Sequence, residues 1–214
     1  MKIPEGDFDA YIFDCDGTLA DTMPLHYKAW CAALREHEAD FPEALFYEFG
    51  GMPTERIVEL LNERHGYSLS PAETAQKKEV LFLAMLAEID PIEPVVAIVR
   101  EVSGRLPMAV ASGGPRDVVT RTLDALGLLG KFAAIVCSED YARGKPAPDP
   151  FLLAAQRLGV EPAKCLVFED TLIGEQAARA AGMVSVLVPP PERVQALRRA
   201  AAAVTKESAD RRAP

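Results

Sequence analysis

Four apolar residues, Ala10-Tyr11-Ile12-Phe13, run straight into Asp14-Cys15-Asp16-Gly17-Thr18. A second such run, Cys165-Leu166-Val167-Phe168, stops in the same way at Glu169-Asp170. Short apolar runs of this length read as buried strands. In a parallel α/β sheet the carboxyl ends of the strands share one edge, and that edge is where ligands bind. Residues far apart in the chain, with Lys145 of Gly144-Lys145-Pro146 between them, are therefore expected to meet in one crevice of carboxylates and an ammonium group.

The second half of the chain supports such a sheet. Met108–Ala111 reads as a strand ending in Ser112-Gly113-Gly114, followed by a helix from Pro115 or Arg116 to Leu126 that stops at Gly127. Ala134–Cys137 reads as a strand, Pro150–Leu158 as a helix closed by Gly159, and Cys165–Phe168 as a strand. Gly174–Ala181 then reads as a helix closed by Gly182, and Val184–Val188 as a strand. Strands alternating with helices predict an α/β fold with a doubly wound, Rossmann-like parallel sheet.

Residues 21–91 carry no strand pattern. Leu25, Ala29 and Ala32-Ala33 suit a helix from Asp21 to Glu38, with Asp21 or Thr22 as its cap. Thr54 suits the N-cap of a second helix to about Arg64, with Ile57, Leu60 and Leu61 on one face. Ser70-Pro71-Ala72-Glu73 has the form of a capping box and opens a third helix to about Glu88. Asp90-Pro91-Ile92-Glu93-Pro94 breaks the helical pattern. The expected division is a core of residues 1–20 and 92–214, with an all-helical insertion at 21–91. A surface helix is expected at 192–204.

Composition narrows the function. A formal charge of −9, from 23 Lys and Arg against 32 Asp and Glu, argues against a nucleic-acid surface. An acidic chain that handles an anion must place local positive charge, from a metal or a few fixed cations. The four cysteines show no CxxC pair and no zinc spacing, so buried thiols in a reducing compartment are expected. No stretch of 18 apolar residues and no apolar signal core is present, which predicts a cytoplasmic protein. We expect a monomer with no nucleic-acid or membrane partner.

The motifs carry chemistry of one kind. Asp14 and Asp16 lie two apart and can face one ligand as the strand ends. Gly17 lets the backbone turn, and N–H groups in such a turn can cradle a phosphate. The same stretch could open a calcium loop, but Leu25 occupies the position where that loop needs its final carboxylate. Ser112 and Gly113 stand before a helix, where a hydroxyl and backbone N–H groups can bind an anion; taken alone, a plain strand-to-helix turn is the better reading. Lys145 is followed by Pro146 and Pro148, which stiffen the backbone and restrict where it can point. Glu169 and Asp170 would be costly at a strand end unless paired or metal-bound, though Asp170 could also cap the next helix. Oxygen donors without a placed His or Cys select magnesium over zinc.

These four motifs together resemble those of the haloacid dehalogenase-type phosphatase superfamily, in the subgroup of β-phosphoglucomutase with a small helical cap. Lys145-Pro-Ala-Pro-Asp149, Val167-Phe-Glu-Asp170 and Ala177-Ala-Arg-Ala-Ala-Gly182 resemble the bacterial fructose-1-phosphate phosphatases of that group. The resemblance implies that Asp14 is the nucleophile and Asp16 the general acid and base. It implies Mg2+ held by Asp14, Asp170 and the backbone carbonyl of Asp16, with Glu169 nearby. Ser112, Gly113 and Lys145 would bind the phosphoryl group, and His26 and Arg56 of the cap would meet a small phosphorylated sugar. His26 suits ordinary helix packing nearly as well, and Arg56 suits a solvated first turn. The mutases carry a cap-loop arginine at a place that falls near Pro53 here, so a phosphatase is expected. A sugar phosphomutase, or a non-catalytic phosphometabolite-binding protein, is the alternative. Where relatives place a basic residue in the second motif, Arg116 is the candidate.

Overall fold

The computed structural model describes residues 1, 3–49 and 52–191. Its elements, in chain order, are β1 (Ala10–Phe13), α1 (Met23–Leu34), α2 (Glu43–Glu48), α3 (Thr54–His65), α4 (Pro71–Ala84), α5 (Glu93–Val102), β2 (Met108–Ala111), α6 (Arg116–Ala125), β3 (Ala134–Val136), α7 (Asp149–Leu158), β4 (Cys165–Glu169), α8 (Leu172–Ala180) and β5 (Val184–Leu187). The helix expected at 192–204 lies outside the described residues. Two compact units result, one holding Met1–Met23 and Leu86–Pro189, the other Pro24–Met85.

The first unit is a five-stranded parallel sheet in the order β3-β2-β1-β4-β5. Phe13 lies beside Val110 on one side and Phe168 on the other. Asp14 therefore leaves β1 level with the end of β4, and its N–H donates to the Phe168 carbonyl at 2.9 Å. Side-chain alternation divides the core between the two faces. Tyr11, Phe13, Val110 and Phe168 pack with Val95 and Val99 of α5 and Val119 and Leu123 of α6. Ile12, Ala109, Ala111 and Val167 pack with Phe151 and Ala154 of α7 and Ala177 and Ala178 of α8. The first face is filled by aromatic rings, with Phe13 and Phe168 stacked at 4.7 Å, while the second is lined by alanines that let α7 and α8 approach closely.

Helix α5 was not anticipated, although Pro94 in its first turn and buried Val95, Val96, Ile98, Val99 and Val102 give it a helical period. The proline signal at 90–94 ends one segment and starts the next helix. The outgoing and returning segments lie side by side there: Asp21 N–H donates to the Asp90 carbonyl at 2.9 Å and Ile92 N–H to the Leu19 carbonyl at 3.0 Å.

The second unit is α-helical. Trp30, Phe41, Phe46, Phe49 and Phe82 are buried, with Trp30 edge-on to Phe41 at 5.4 Å. The helix α2 was also unforeseen, being only six residues long. Asn62 closes the α3–α4 connection by bonding both the N–H and the carbonyl of Leu69, at 3.0 and 2.9 Å. Ser70 occupies the N-cap position of α4 but makes no side-chain cap bond, so the expected capping box does not form; α4 ends at Ala84 and a 3₁₀ turn follows at Leu86–Glu88. Cys15, Cys137 and Cys165 are buried as expected, but Cys31 is exposed. It follows Trp30 on α1, whose buried positions are Leu25, Ala29, Trp30, Ala33 and Leu34, and so turns to the other side. Among the described residues no helix is long and apolar enough to cross a membrane.

Candidate active site

At the carboxyl edge of the sheet, β1 and β4 deliver Asp14, Glu169 and Asp170, all buried, with carboxylate oxygens within 4.8 Å of one another. Three buried carboxylates repel unless a cation stands among them. Lys145 is that cation, its Nζ 2.6 Å from Asp14 Oδ1 and 2.6 Å from Glu169 Oε2. The loop after β3 carries it there, with Lys145–Pro146 a cis peptide bond, and the ammonium also lies 5.0 Å over the Phe151 ring. Burial pushes the Asp14 carboxyl well above the usual carboxylate range; Lys145 pulls it back, while Glu169 and Asp170 push it further up. Burial works against the Lys145 charge, but Asp14 and Glu169 outweigh it and lift its pKa above the ordinary lysine value.

Glu169 is fully engaged. Its Oε1 accepts from the Thr171 hydroxyl at 2.7 Å and the Thr171 N–H at 2.9 Å, leaving Oε2 to Lys145. Thr171, rather than Asp170, caps α8, accepting from the Gly174 N–H at 3.0 Å. Asp170 is thus released from helix capping and turns toward β1. There Gly17, at φ +79°, leaves room for it: a Cβ on Gly17 would stand 2.5 Å from Asp170 Oδ2. The Thr18 hydroxyl lies 3.5 Å from Asp170 Oδ1. A Cβ on Gly174 would fall inside the Glu169 carboxyl group. Thr171 and Gly174 were not singled out from the sequence; the signal available was a threonine three residues before a glycine at a helix start.

Asp16 is partly exposed, and a Cβ built on Gly114 would come within 3.8 Å of its Oδ2, which places the Asp16 carboxylate toward the turn after β2. In that turn Ser112 is buried and its Oγ accepts from the Gly114 N–H at 3.0 Å. Gly113 is exposed, with open space around it. Arg116 is engaged by acidic side chains of the β3 loop. Its guanidinium binds Asp140 and its N–H donates to Glu139 at 2.9 Å, so it serves the fold of the β3 loop.

The helical unit treats its two candidates differently. His26 stacks on Phe82, centroids 3.9 Å apart. Arg56 bonds Glu59 at 2.7 Å and Glu63 at 3.2 Å on its own helix, exposed to solvent. Lys78, unremarked in the sequence, is buried, pairing with Glu79 at 2.9 Å and lying over Phe82.

The donor set fits a hard divalent cation: oxygen-only, acidic, close together and buried. A buried carboxylate, a second carboxylate aimed at the turn after β2, a hydroxyl in that turn and a fixed ammonium are parts that a phosphate-ester-cleaving site uses.

Comparison with known proteins agrees. Residues 8–182 match the family model of haloacid dehalogenase-like hydrolases. The fructose-1-phosphate phosphatase YqaB of Escherichia coli is 42% identical over 82% of this chain and 93% of its own. A phosphorylated carbohydrates phosphatase of Thermotoga maritima is 30% identical over 82% of each chain. The crystal structure of CbbY from Rhodobacter sphaeroides with phosphate superposes with a TM-score of 0.78 at 26% identity, covering 86% of this chain and 87% of that one. With the acid-lined sheet edge, the glycines that make room for it and these relatives in agreement, the chain belongs to the haloacid dehalogenase-like hydrolases, as an enzyme of their phosphatase type.

Proposed function

We propose that this phosphoric monoester hydrolase removes phosphate from a small sugar phosphate resembling fructose 1-phosphate, in a magnesium-dependent reaction through an aspartyl-phosphate. The observation that carries the reading is the bridge from Lys145 Nζ to both Asp14 and Glu169 at 2.6 Å, with Asp170 beside them. The 42% identity to a fructose-1-phosphate phosphatase supports the substrate class.

In this reading the core is residues 1–20 and 92–214, and residues 21–91 act as a cap that selects the substrate. Asp14, Asp170 and the backbone carbonyl of Asp16 would hold Mg2+, with Glu169 completing the acidic wall. Magnesium, when bound, offsets phosphate charge that would otherwise repel the nucleophile, a contribution of several kcal/mol. Asp14 attacks phosphorus through its carboxylate, and the bond from phosphorus to the sugar oxygen breaks. Asp16 gives its proton to the departing alkoxide. It then takes a proton from water, whose oxygen attacks the phosphorus on Asp14 and frees inorganic phosphate. Ser112, the Gly113 N–H and Lys145 hold the phosphoryl oxygens throughout, aimed at charge that grows in the transition state. Phosphate monoesters hydrolyse so slowly unaided that the site must lower the barrier by on the order of 20 kcal/mol.

Within the helical segment His26 is the side chain proposed to meet the sugar. Arg56, tied to Glu59 and Glu63, gives no sign of gripping a second phosphate, which favours a phosphatase over a mutase. We place the enzyme in the cytoplasm as a monomer acting on a small molecule alone. The deciding experiment is phosphate release from fructose 1-phosphate, β-glucose 1-phosphate, glucose 6-phosphate and a nucleoside monophosphate, with magnesium and then with EDTA. Release confined to one or two hexose phosphates and abolished by EDTA is expected. Release that survives EDTA would overturn the magnesium requirement, and turnover only with an added sugar bisphosphate would identify a mutase.

A further inference from the structure

Tyr141 touches both of the loops assigned to phosphate without belonging to either motif. Its hydroxyl donates to the Ser112 carbonyl at 3.0 Å, across 29 residues of chain. Its ring lies against Gly144, the residue before Lys145: a Cβ on Gly144 would stand 3.7 Å from Tyr141 Cε2. The residue before it is held from three directions. Asp140 accepts from the Cys137 N–H at 2.8 Å, from Arg157 at 2.9 Å and from Arg116. Tyr141 therefore projects from a fixed point of the backbone.

The consequence falls on Ser112. Its N–H donates to the Val136 carbonyl at 3.0 Å, its Oγ accepts from the Gly114 N–H at 3.0 Å, and its carbonyl accepts from Tyr141. A serine hydroxyl has one proton to donate. With each of the residue's other polar atoms engaged, that proton remains for an anion. Without the Tyr141 bond, the carbonyl at the end of a buried strand would be left unsatisfied, and the turn would relax to find a partner.

We propose that Tyr141 is a positioning residue for phosphate binding, holding the Ser112 turn and the Lys145 loop in register through its hydroxyl and its ring respectively. This rests on the reading of Ser112 and Lys145 as phosphate ligands, and the test separates the two ideas. Inorganic phosphate is the probe, as a competitive inhibitor of fructose 1-phosphate hydrolysis by the full chain with magnesium. Tyr141→Phe keeps the ring and loses the hydroxyl; its phosphate inhibition constant and KM should rise about fivefold with kcat little changed, the size of one neutral hydrogen bond. In a Ser112→Ala background the same change should have no further effect on phosphate affinity, because the hydroxyl it positions is gone. Tyr141→Ala also frees the Lys145 loop and should lower kcat by about tenfold or more.

Unchanged phosphate affinity in Tyr141→Phe while Ser112→Ala weakens it would overturn the proposal, whatever happened to the melting temperature. Full additivity of the two substitutions would overturn it as well. No effect of Ser112→Ala would overturn the phosphate-ligand reading itself, and the inference with it.

Discussion

The sheet edge and the helical segment use polar side chains in opposite ways. At the edge, Asp14, Ser112, Lys145 and Glu169 are buried or nearly so, and each is held by bonds to residues distant in sequence. In the helical segment most charged pairs stand in solvent, whether local, as Arg56 with Glu59 and Glu63, or distant, as Arg64 with Glu48; buried Lys78 with Glu79 is the exception. Burial at a convergence of strand ends makes a charge costly to misplace, so geometry there is tightly specified. A charge on an exposed helix face costs little wherever it points. The first region fixes its geometry; in the function proposed above, the second is free to vary with the substrate.

Asp14→Asn tests the extreme of this contrast. Turnover should fall by about 10⁴-fold or more while the far-ultraviolet circular dichroism stays unchanged, because a nucleophile contributes through bond formation rather than through packing. Residual turnover near the wild-type level would contradict the covalent step.

Gly174→Ala comes next. The added methyl must displace the Glu169 carboxyl from its place beside Lys145, so kcat/KM should drop by on the order of 10²-fold, a price set by misalignment at the reacting centre. The comparison weakens if steady-state kinetics show no loss.

Asp140→Ala is expected to act on stability more than chemistry. Removing an anion that accepts from two arginines and a backbone N–H should cost about 2–3 kcal/mol in urea unfolding. Arg157, above all, holds the Asp140 carboxyl down to about 2. A depressed carboxylate stabilises the fold above its unfolded value and loses that stabilisation as pH falls through the folded value. The wild type should therefore lose more stability than Asp140→Ala between about pH 4 and pH 2. Parallel acid-unfolding curves would argue against the clamp.

The smallest effect separates packing from recognition in the helical segment. His26→Phe retains a ring to stack on Phe82 but removes the imidazole nitrogens. A KM several-fold higher at unchanged melting temperature, the loss of about one hydrogen bond, would place His26 at the sugar. An unchanged KM would leave it a packing residue.

How much could be read in advance follows the same division. All five strands were readable as short apolar runs with sharp ends, the three central ones because they are buried on both faces. The acidic motifs were readable because they sit immediately after those runs. Helix α2 escaped because six residues carry too little period, and α5 because its prolines read as a break rather than a start. Thr171 displaced Asp170 as the helix cap, a choice between two adjacent residues that each suit the role by type. Arg116 is the basic residue that the second motif offers, and only the fold sets Asp140 and Glu139 against it.

The sequence by itself determined the alternation of strands and helices, the helical insertion and the residue types gathered at the sheet edge, because hydrophobic period and strand-end position are local properties. Only the tertiary structure decided which carboxylate meets Lys145, that Glu169 spends both oxygens on neighbours, and that Tyr141 spans two loops. Apart from the Thr171 bonds and the Tyr141 contact with Gly144, those are contacts between residues 24 to 131 positions apart, and no local pattern encodes the distance between them.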